Sequence, residues 1–169
     1  GTRTLTGIDD SIDDDGETIV IDIDNVTGGD SASESIPQQV TVTIIDDDTA
    51  AITIAQSGGT TIVTEAGSTD NFTVVLGSQP TGNVVLNITS ADTGEATVSP
   101  SSLTFSSGNY TTAQKIVVTG VDDSLDDDNL TTVISVAINT GSTTDSVYDT
   151  LATQTVSVIT TDDDISLLG

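Results

Sequence analysis

The chain has no cysteine and no histidine, and its only basic residues are Arg3 and Lys115. Disulfide bonds, the usual zinc sites and catalysis by a cysteine thiolate or a serine–histidine pair are excluded, because each needs one of the missing side chains. Most classes of enzyme depend on such groups. The sequence therefore predicts a protein that is not an enzyme.

The chain also has very few positively charged residues. The 27 acidic and 2 basic residues give a formal net charge of −25 at pH 7, which opposes binding to nucleic acid or to an anionic membrane. No apolar run approaches the ~18 residues of a membrane span, so direct membrane insertion is not expected either. The hydrophobic fraction of 34% is nevertheless more than a disordered acidic tail would carry, and we expect the chain to fold once counter-ions neutralise it.

The acidic residues that are present follow a repeated pattern. The heptad Asp-Asp-Ser-Ile-Asp-Asp-Asp at residues 9–15 returns as Asp-Asp-Ser-Leu-Asp-Asp-Asp at residues 122–128, and aspartate triplets follow at residues 46–48 and 162–164. Self-similarity at a fixed spacing marks a repeat protein. Residues 49–164 form a complete copy, residues 1–48 are the C-terminal half of a preceding copy, and residues 165–169 are the start of a following one.

The complete copy has β patterns throughout. Short segments rich in Val, Ile and Thr alternate with period two between turns rich in Gly, Ser, Pro and Asn, and no segment has the period of an α-helix. Seven strands are predicted, near residues 50–55, 70–76, 83–89, 102–105, 113–120, 130–139 and 153–160. These strands predict an all-β fold, a seven-stranded antiparallel sandwich of the immunoglobulin-like kind, in tandem repeats.

Strand direction places most acidic residues at one end of this sandwich. If successive strands run up and down alternately, the first, third and fifth connections and the end of the last strand share one pole. These segments carry Glu65, Asp92 with Glu95, residues 122–128 and residues 162–164, whereas the other connections carry only Asp145 and Asp149. The sequence therefore predicts an acidic pole where the next repeat begins.

Converging carboxylates without cationic partners favour a metal site. Calcium takes ~6–8 oxygen ligands, whereas magnesium demands stricter octahedral geometry and transition metals prefer the missing His and Cys side chains. An isolated acidic run is more often simply solvated. Because several runs converge on one pole, we expect the chain to bind Ca²⁺.

Three further motifs carry a family resemblance. Val-Thr-Glu-Ala-Gly at residues 63–67 precedes a Phe-Thr-Val-Val-Leu strand, Thr-Val-Ser-Pro at residues 97–100 leads into Leu-Thr-Phe, and Val-Thr-Gly-Val-Asp-Asp at residues 118–123 precedes the closing triplet. In this order they resemble the Calx-beta domains of sodium/calcium exchangers and, more closely, their bacterial cell-surface relatives. The resemblance covers the complete copy and the preceding half, and implies a seven-stranded sandwich that binds calcium at its distal loops.

The resemblance also implies a set of calcium ligands. Carried over by position, they are Glu65, Glu95, Asp123, the Leu125 carbonyl, Asp127, Asp162, Asp163 and Asp164. The chain departs from the exchanger pattern at Asn129 and Leu130, where that pattern continues with acidic residues and the first copy keeps Glu17. This departure implies a weakened or missing calcium position in the complete copy.

A second calcium site is expected at the joint between the two copies. Its candidate ligands are Asp10, Asp14, Glu17, Asp46, Asp47 and Asp48. Calcium there would draw the copies together and turn a short linker into a fixed angle, whereas repulsion among unneutralised carboxylates would splay the joint.

These features predict a calcium-binding structural module of a large extracellular or cell-surface protein, such as a stalk, adhesin or filament, whose joints calcium stiffens. Neighbouring repeats of the same chain or identical subunits are the expected partners, and the sequence does not identify a cell-surface or matrix ligand. One alternative is a regulatory calcium sensor, which binds near micromolar rather than at ~10⁻⁴ to 10⁻³ M. The other is a glycoside hydrolase that uses paired carboxylates. The repeat context favours the structural module.

Overall fold

The structure, a computed structural model, describes residues 4–14, 16–23 and 38–165. These residues form β structure with short 3₁₀ turns at Ser57–Gly59 and Tyr148–Thr150, and no α-helix occurs among them, so the all-β prediction is confirmed. No helix in this part of the chain is long and apolar enough to cross a membrane. Residues 166–169, predicted to belong to a following repeat, lie outside the described residues.

The first copy contributes a separate hairpin. Strands β1 (Thr18–Ile23) and β2 (Gln38–Thr43) pair antiparallel, with Ile21 opposite Val40. The remaining strands, β3 to β11, belong to the complete copy and form two sheets.

The two sheets of the complete copy differ in size. The four-stranded sheet contains, in order across it, β3 (Ile52–Gln56), β5 (Thr69–Leu76), β9 (Gln114–Gly120) and β7 (Ala96–Ser99). The five-stranded sheet contains, in order, β4 (Thr61–Thr64), β11 (Gln154–Thr161), β10 (Leu130–Ile138), β6 (Val84–Ser90) and β8 (Ser102–Phe105). Neighbouring strands are antiparallel except β4 and β11, which pair in parallel.

One hydrophobic core lies between the sheets. Because successive side chains of a strand point to opposite faces, every second residue of the central strands is buried, as in β5 and β9. Phe72 and Ile116 from the smaller sheet and Leu86 and Ile134 from the larger one are all 0% exposed and belong to the same cluster. The two sheets therefore pack face to face as a β-sandwich.

All seven predicted strands have an observed counterpart, but two further strands complete the sheets. The predicted number of strands in the sandwich, seven, is therefore not confirmed. The two further strands are β4 and β7, each four residues long. Their length alone does not explain why they were missed, because β8 is equally short and is predicted. Strand β4 matters for the site described below because Glu65 follows it directly.

The hairpin of the first copy repeats the pairing of β10 with β11. Ile21 pairs with Val40 as Ile134 pairs with Val156, and the repeat alignment makes these pairs equivalent. Ile134 and Val156 are 0% and 2% exposed, whereas Val40 is 50% exposed. The aligned residues thus pair in the same way, but the described residues provide a covering sheet only in the complete copy, and the predicted tandem repeat of the sandwich is not confirmed.

Candidate metal centre

The parallel pairing of β4 and β11 brings together the first two acidic residues. Thr64 lies opposite Thr161 in this ladder, and the N–H of Glu65 continues it by donating to the Thr161 carbonyl at 3.1 Å. Parallel strands end at the same edge of a sheet. Glu65 and Asp162, each the next residue after its strand, are therefore neighbours.

The other sheet contributes Glu95 and the acidic heptad. Ala96 at the start of β7 lies opposite Gly120 at the end of β9, and the Val121 N–H donates to the Glu95 carbonyl at 2.9 Å. The heptad at residues 122–128 leaves from this point toward β10. Glu95 is thereby held beside the start of the heptad.

Gly120 joins the two sheets at this pole. A Cβ built on Gly120 would lie 2.1 Å from the carbonyl oxygen of Thr64 and 3.2 Å from a side-chain carbon of Val63, and real Cβ contacts essentially never fall below 3.0 Å. Only glycine lets the end of β9 lie so close to the end of β4. The sheets can therefore bring their acidic residues to one place.

Six carboxylates converge at this pole. In each of three sets, one oxygen from each residue lies within 4.8 Å of the others, and the sets are Glu65 with Asp123 and Asp164, Glu65 with Asp127 and Asp162, and Glu95 with Asp123 and Asp127. Because the sets share members, they form one group. We call it the distal cluster: Glu65, Glu95, Asp123, Asp127, Asp162 and Asp164.

Several oxygens of the distal cluster are buried without a hydrogen bond. Glu65 is 2% and Glu95 is 8% exposed. One carboxylate oxygen in each of Glu65, Glu95, Asp127 and Asp164 is buried and has no hydrogen-bond partner within the described residues. A buried, unpartnered polar atom is costly, and a buried charge more so, unless a counter-charge compensates it.

No basic side chain supplies that counter-charge within the described part of the chain. Its one basic residue, Lys115, is exposed and lies near the start of β9, whereas the cluster lies beyond the end of that strand. The donor set consists only of carboxylate oxygens, which suits a hard cation such as calcium.

Burial and mutual repulsion shift the pKa values of the distal cluster upward. Burial, followed by the charges of Asp162, Asp123, Asp127 and Glu95, raises the pKa of Glu65 from 4.5 to about 7. Burial is likewise the largest cause that raises the pKa of Glu95, Asp127 and Asp164, with acidic neighbours adding to it. Full ionisation of the cluster is therefore unfavourable without a cation.

The raised pKa of Glu65 predicts how stability depends on pH. Between pH 4.5 and about 7 the unfolded chain has lost this proton while the folded chain still holds it. The folded state binds more protons in this window, so in calcium-free buffer we expect the free energy of unfolding to fall as pH rises. Urea unfolding across this range tests the expectation.

Saturating calcium and Glu65→Gln provide the controls for this pH dependence. Calcium competes with the proton, so it should remove the fall. Glu65→Gln should lessen it because glutamine does not titrate, while the raised pKa values of Glu95, Asp127 and Asp164 still contribute. A wild-type stability that rises with pH through this window in calcium-free buffer would contradict the description of the cluster.

Two residues that the resemblance assigned as ligands lie outside these close sets. Asp163 is exposed. The Leu125 side chain is 61% exposed, and its N–H donates to Oδ1 of Asp123 at 2.7 Å. At the departure from the family pattern, Asn129 accepts a hydrogen bond through Oδ1 from the Asp162 N–H at 3.1 Å, which ties the heptad to the closing triplet.

The predicted ligands at the joint also come together. Asp10, Asp14, Glu17, Asp46 and Asp47 line a cavity of about 70 Å³ together with Asp9, Ile8, Ile44 and Ile45. Oxygens of Asp9, Asp47 and Asp48 lie within 4.8 Å of one another. We call the acidic members of this group the joint cluster: Asp9, Asp10, Asp14, Glu17, Asp46, Asp47 and Asp48.

Asp9 is the member of the joint cluster that was not predicted. The available signal was the repeat alignment, in which Asp9 matches Asp122 as the first residue of the heptad. Asp122 lies close enough to the closing triplet to raise the pKa of Asp164, after burial, Asp162 and Asp163.

Within the described residues, the acidic segments of the two copies share local hydrogen bonds. The Ile12 N–H donates to Asp10 Oδ1 at 2.9 Å, as the Leu125 N–H does to Asp123. In the triplets, Asp46 Oδ1 accepts from the N–H two residues later at 3.1 Å and Asp162 Oδ1 does so at 2.9 Å. The pKa of Asp48 is raised by burial and then by the equivalents of the residues that act on Asp164.

Comparison with known proteins adds little. No protein-family model matches the chain, and no curated protein matches its sequence. Among solved structures, the E. coli chaperone DraB is similar with a TM-score of 0.46 and 8% identity, over 69% of this chain and 58% of that one. Domains 4 and 5 of the S-layer protein SbsC are similar with a TM-score of 0.41 and 22% identity, over 73% of this chain and 59% of that one.

A third similar structure is SSP-19, an MSP-domain protein like family member in Caenorhabditis elegans, with a TM-score of 0.39 and 17% identity over 61% of this chain and 92% of that one. The chain spans less than two thirds of the DraB and SbsC structures. Similarity at this level carries no argument about function. The Calx-beta resemblance and the function therefore rest on the chain's own residues.

Proposed function

We propose that this chain is a calcium-binding structural repeat of an extracellular or cell-surface protein, built as a Calx-beta type of sandwich, in which calcium fixes the angle between successive copies. The observation that carries the proposal is the set of buried carboxylate oxygens without hydrogen bonds in Glu65, Glu95, Asp127 and Asp164. A cation is the ligand that satisfies such oxygens.

Calcium suits both clusters better than other ions. Their side-chain donors are carboxylates alone, and the distal cluster is close to the ~6–8 oxygens that calcium takes once carbonyls and water are included. The same acidic segments recur in both copies with the same local hydrogen bonds. Recurrence at equivalent positions fits structural ions better than a single catalytic pair, so we assign the clusters no role in catalysis.

The joint cluster lies next to the start of the complete copy, and all of its members belong to residues 1–48. Asp46, Asp47 and Asp48 directly precede the complete copy, whose first buried residue is Ala50. A cation that binds these aspartates together with Asp10 and its neighbours would fix the position of the linker where the complete copy begins. Without a cation, like charges this close repel one another and favour an open joint.

The recurrence of the acidic segments favours a structural module over a sensor. A carboxyl group whose pKa is about 7 is half ionised at pH 7, so competition with its proton weakens calcium binding only about twofold there and does not set the affinity. Extracellular calcium modules bind at ~10⁻⁴ to 10⁻³ M, in keeping with the calcium concentration outside cells. An external stalk, adhesin or filament fits this range.

Calcium should stabilise the whole chain against unfolding. For one site that binds only the folded state, a hundredfold excess of calcium over Kd adds about 2.7 kcal/mol to the free energy of unfolding. We expect a clear rise in Tm and a saturable titration by calorimetry. Magnesium at equal ionic strength should give a much smaller rise.

One result would contradict this proposal, and another would favour the alternative function. A Tm that stays the same in chelator and in millimolar calcium would contradict it. A Kd near micromolar would support the regulatory sensor in place of the structural module.

A further inference from the structure

The heptad of the first copy contacts the complete copy directly. The Gln79 N–H donates to the Ser11 carbonyl at 2.6 Å, and the Ala50 N–H donates to Oδ2 of Asp13 at 2.7 Å. Ser11 and Asp13 are half-buried. Neither residue belongs to the distal or the joint cluster, so this is a contact between two copies of the repeat and not a metal site.

Ser11 and Asp13 contact a surface of the complete copy that is formed by the segments around Ala50 and Gln79. Ala50 and Gln79 lie just beyond the paired ends of β3 and β5, where the Gly77 N–H donates to the Ala51 carbonyl at 2.8 Å. A Cβ on Gly77 would lie 2.9 Å from the Thr49 carbonyl oxygen. The glycine therefore lets the two segments lie close together. We call the N–H groups of Ala50 and Gln79 the socket.

Tyr148 and Asp145 hold the loop of the socket in place. The buried Tyr148 hydroxyl donates to the Ser78 carbonyl at 2.8 Å and accepts from the Ser78 N–H at 3.0 Å. Asp145, also buried, accepts from the N–H groups of Thr81 at 2.7 Å and Tyr148 at 2.9 Å. Burial opposes ionisation of Asp145, but these bonds hold its pKa below the ordinary value. The socket is thus fixed by bonds within the complete copy.

The complete copy carries the same contact residues at its opposite pole. In the gap-free alignment of the heptads, Ser124 matches Ser11 and Asp126 matches Asp13. The turn that shapes both segments is the same, as the bonds of Ile12 and Leu125 to their preceding aspartates show. Ser124 and Asp126 are exposed, whereas their docked counterparts are half-buried.

We propose that residues 124–126 dock into the socket of a further copy of this repeat, so that copies join head to tail. The Ser124 carbonyl would accept from the backbone N–H equivalent to that of Gln79, and the Asp126 carboxylate from the one equivalent to that of Ala50. The docking segment, residues 124–126, and the socket are different surfaces of the repeat. Head-to-tail contacts between different surfaces can continue from copy to copy and build an open array. The inference rests on the repeat-module part of the proposed function and not on calcium.

Both partner groups are backbone N–H groups, so recognition depends on the shape of the partner more than on its side chains. A charged carboxylate forms the stronger of such bonds, which makes Asp126 the residue to test. Asp126 is also separate from the calcium ligands proposed above. Its replacement therefore tests docking without removing a ligand.

The test uses the chain extended after residue 164 by a second copy of residues 49–164. Amide hydrogen exchange, measured by NMR, should show protection at the added equivalents of Ala50 and Gln79, as at Ala50 and Gln79 themselves. Asp126→Ala should speed exchange at the Ala50 equivalent by about tenfold or more, as expected from loss of a hydrogen bond to a charged group. Asp122→Ala, in the same heptad, is the matched control and should leave this amide protected.

Asp126→Asn separates loss of the bond from loss of structure. It keeps an oxygen acceptor, so protection should largely return. Fast exchange at both added amides in the unmutated extended chain, or equal effects of Asp126→Ala and Asp122→Ala, would overturn the proposal.

Measurements in chelator and in calcium distinguish docking from calcium binding. Protected amides in a chain that fails to bind calcium would support docking and contradict the proposed calcium function. Saturable calcium binding with unprotected amides would overturn docking and leave the calcium function standing.

Discussion

Gly120→Ala is expected to destabilise the complete copy and to abolish calcium binding at the distal cluster. The added Cβ would lie 2.1 Å from the Thr64 carbonyl oxygen, which is part of the backbone and cannot turn aside like a flexible side chain. Thr64 is held by its pairing with Thr161, and Gly120 by its pairing with Ala96. The ends of β4 and β9 must therefore separate.

Two consequences of this separation can be measured. Overpacking of a well-packed region costs typically ~1–3 kcal/mol, and we expect a value at or above the upper end because the clash is with backbone. Separation of β4 from β9 also moves Glu65 away from Asp123, two members of one close set. Urea unfolding reports the first effect, and calorimetric titration with calcium reports the second.

The chain contains a matched control for this variant. Gly7 is the equivalent glycine of the first copy, and no atom lies within 4 Å of a Cβ built on it. Gly7→Ala should change the free energy of unfolding by no more than about 0.5 kcal/mol. If Gly120→Ala were as mild as Gly7→Ala and still bound calcium, the close approach of β4 and β9 would be contradicted.

The position of the acidic pole could be predicted from the sequence, because it depends only on the order of strands and on their alternating direction. The sequence predicts Glu65, Asp123 and Asp162 at that pole, and all three belong to the distal cluster. The way Glu65 reaches it was not predictable. It follows a four-residue strand that pairs in parallel with β11, almost a hundred residues later in the chain. Such pairing is decided by packing between the sheets and leaves little local pattern.

The packing around the glycines and the contacts with backbone groups could not be predicted from the sequence. The alignment shows a glycine in both copies, at residues 7 and 120, but only the structure shows that one is tightly packed and the other is not. The contacts of Ser11 and Asp13 are with backbone N–H groups, which every residue except proline carries. No residue type in the receiving loop could have indicated them.

One heptad serves two purposes in this arrangement. Asp10 and Asp14 line the cavity of the joint cluster, whereas Ser11 and Asp13 bond to the complete copy. Docking fixes the heptad against the next copy, and a cation in the joint cluster would fix the same heptad to the linker. Each contact would lower the conformational entropy of the heptad, so the second contact to form would lose less entropy. We therefore expect calcium binding and docking to strengthen one another.

Glu65→Gln is expected to make the chain more stable than wild type without calcium and less stable with it. Without calcium, the variant removes a carboxyl group whose ionisation is opposed by burial and by Asp162, Asp123 and Asp127. The glutamine amide has a similar shape and can donate hydrogen bonds to the neighbouring carboxylates. At pH 7.5 the calcium-free variant should therefore unfold at a higher urea concentration than wild type.

With calcium, the same change removes a charged ligand. Glu65 belongs to two of the three close sets of the distal cluster. Loss of a group that only supports a metal ligand typically costs ~10–100-fold in affinity, and loss of the ligand itself should cost at least as much. At a calcium concentration that saturates wild type, the variant should gain far less stability. The matched control is Asp92→Asn, which removes one exposed charge at the same pole outside the close sets.

The reversal of sign separates the proposal from its simpler rivals. An acidic surface that is merely solvated would gain stability from the loss of one charge with or without calcium, and calcium would only reduce the gain by screening. A variant that damages the fold would lose stability in both conditions. Only a cation held by Glu65 makes the same substitution favourable in chelator and unfavourable in calcium. If the difference between variant and wild type has the same sign in both conditions, Glu65 does not bind calcium and the distal cluster is not the metal site.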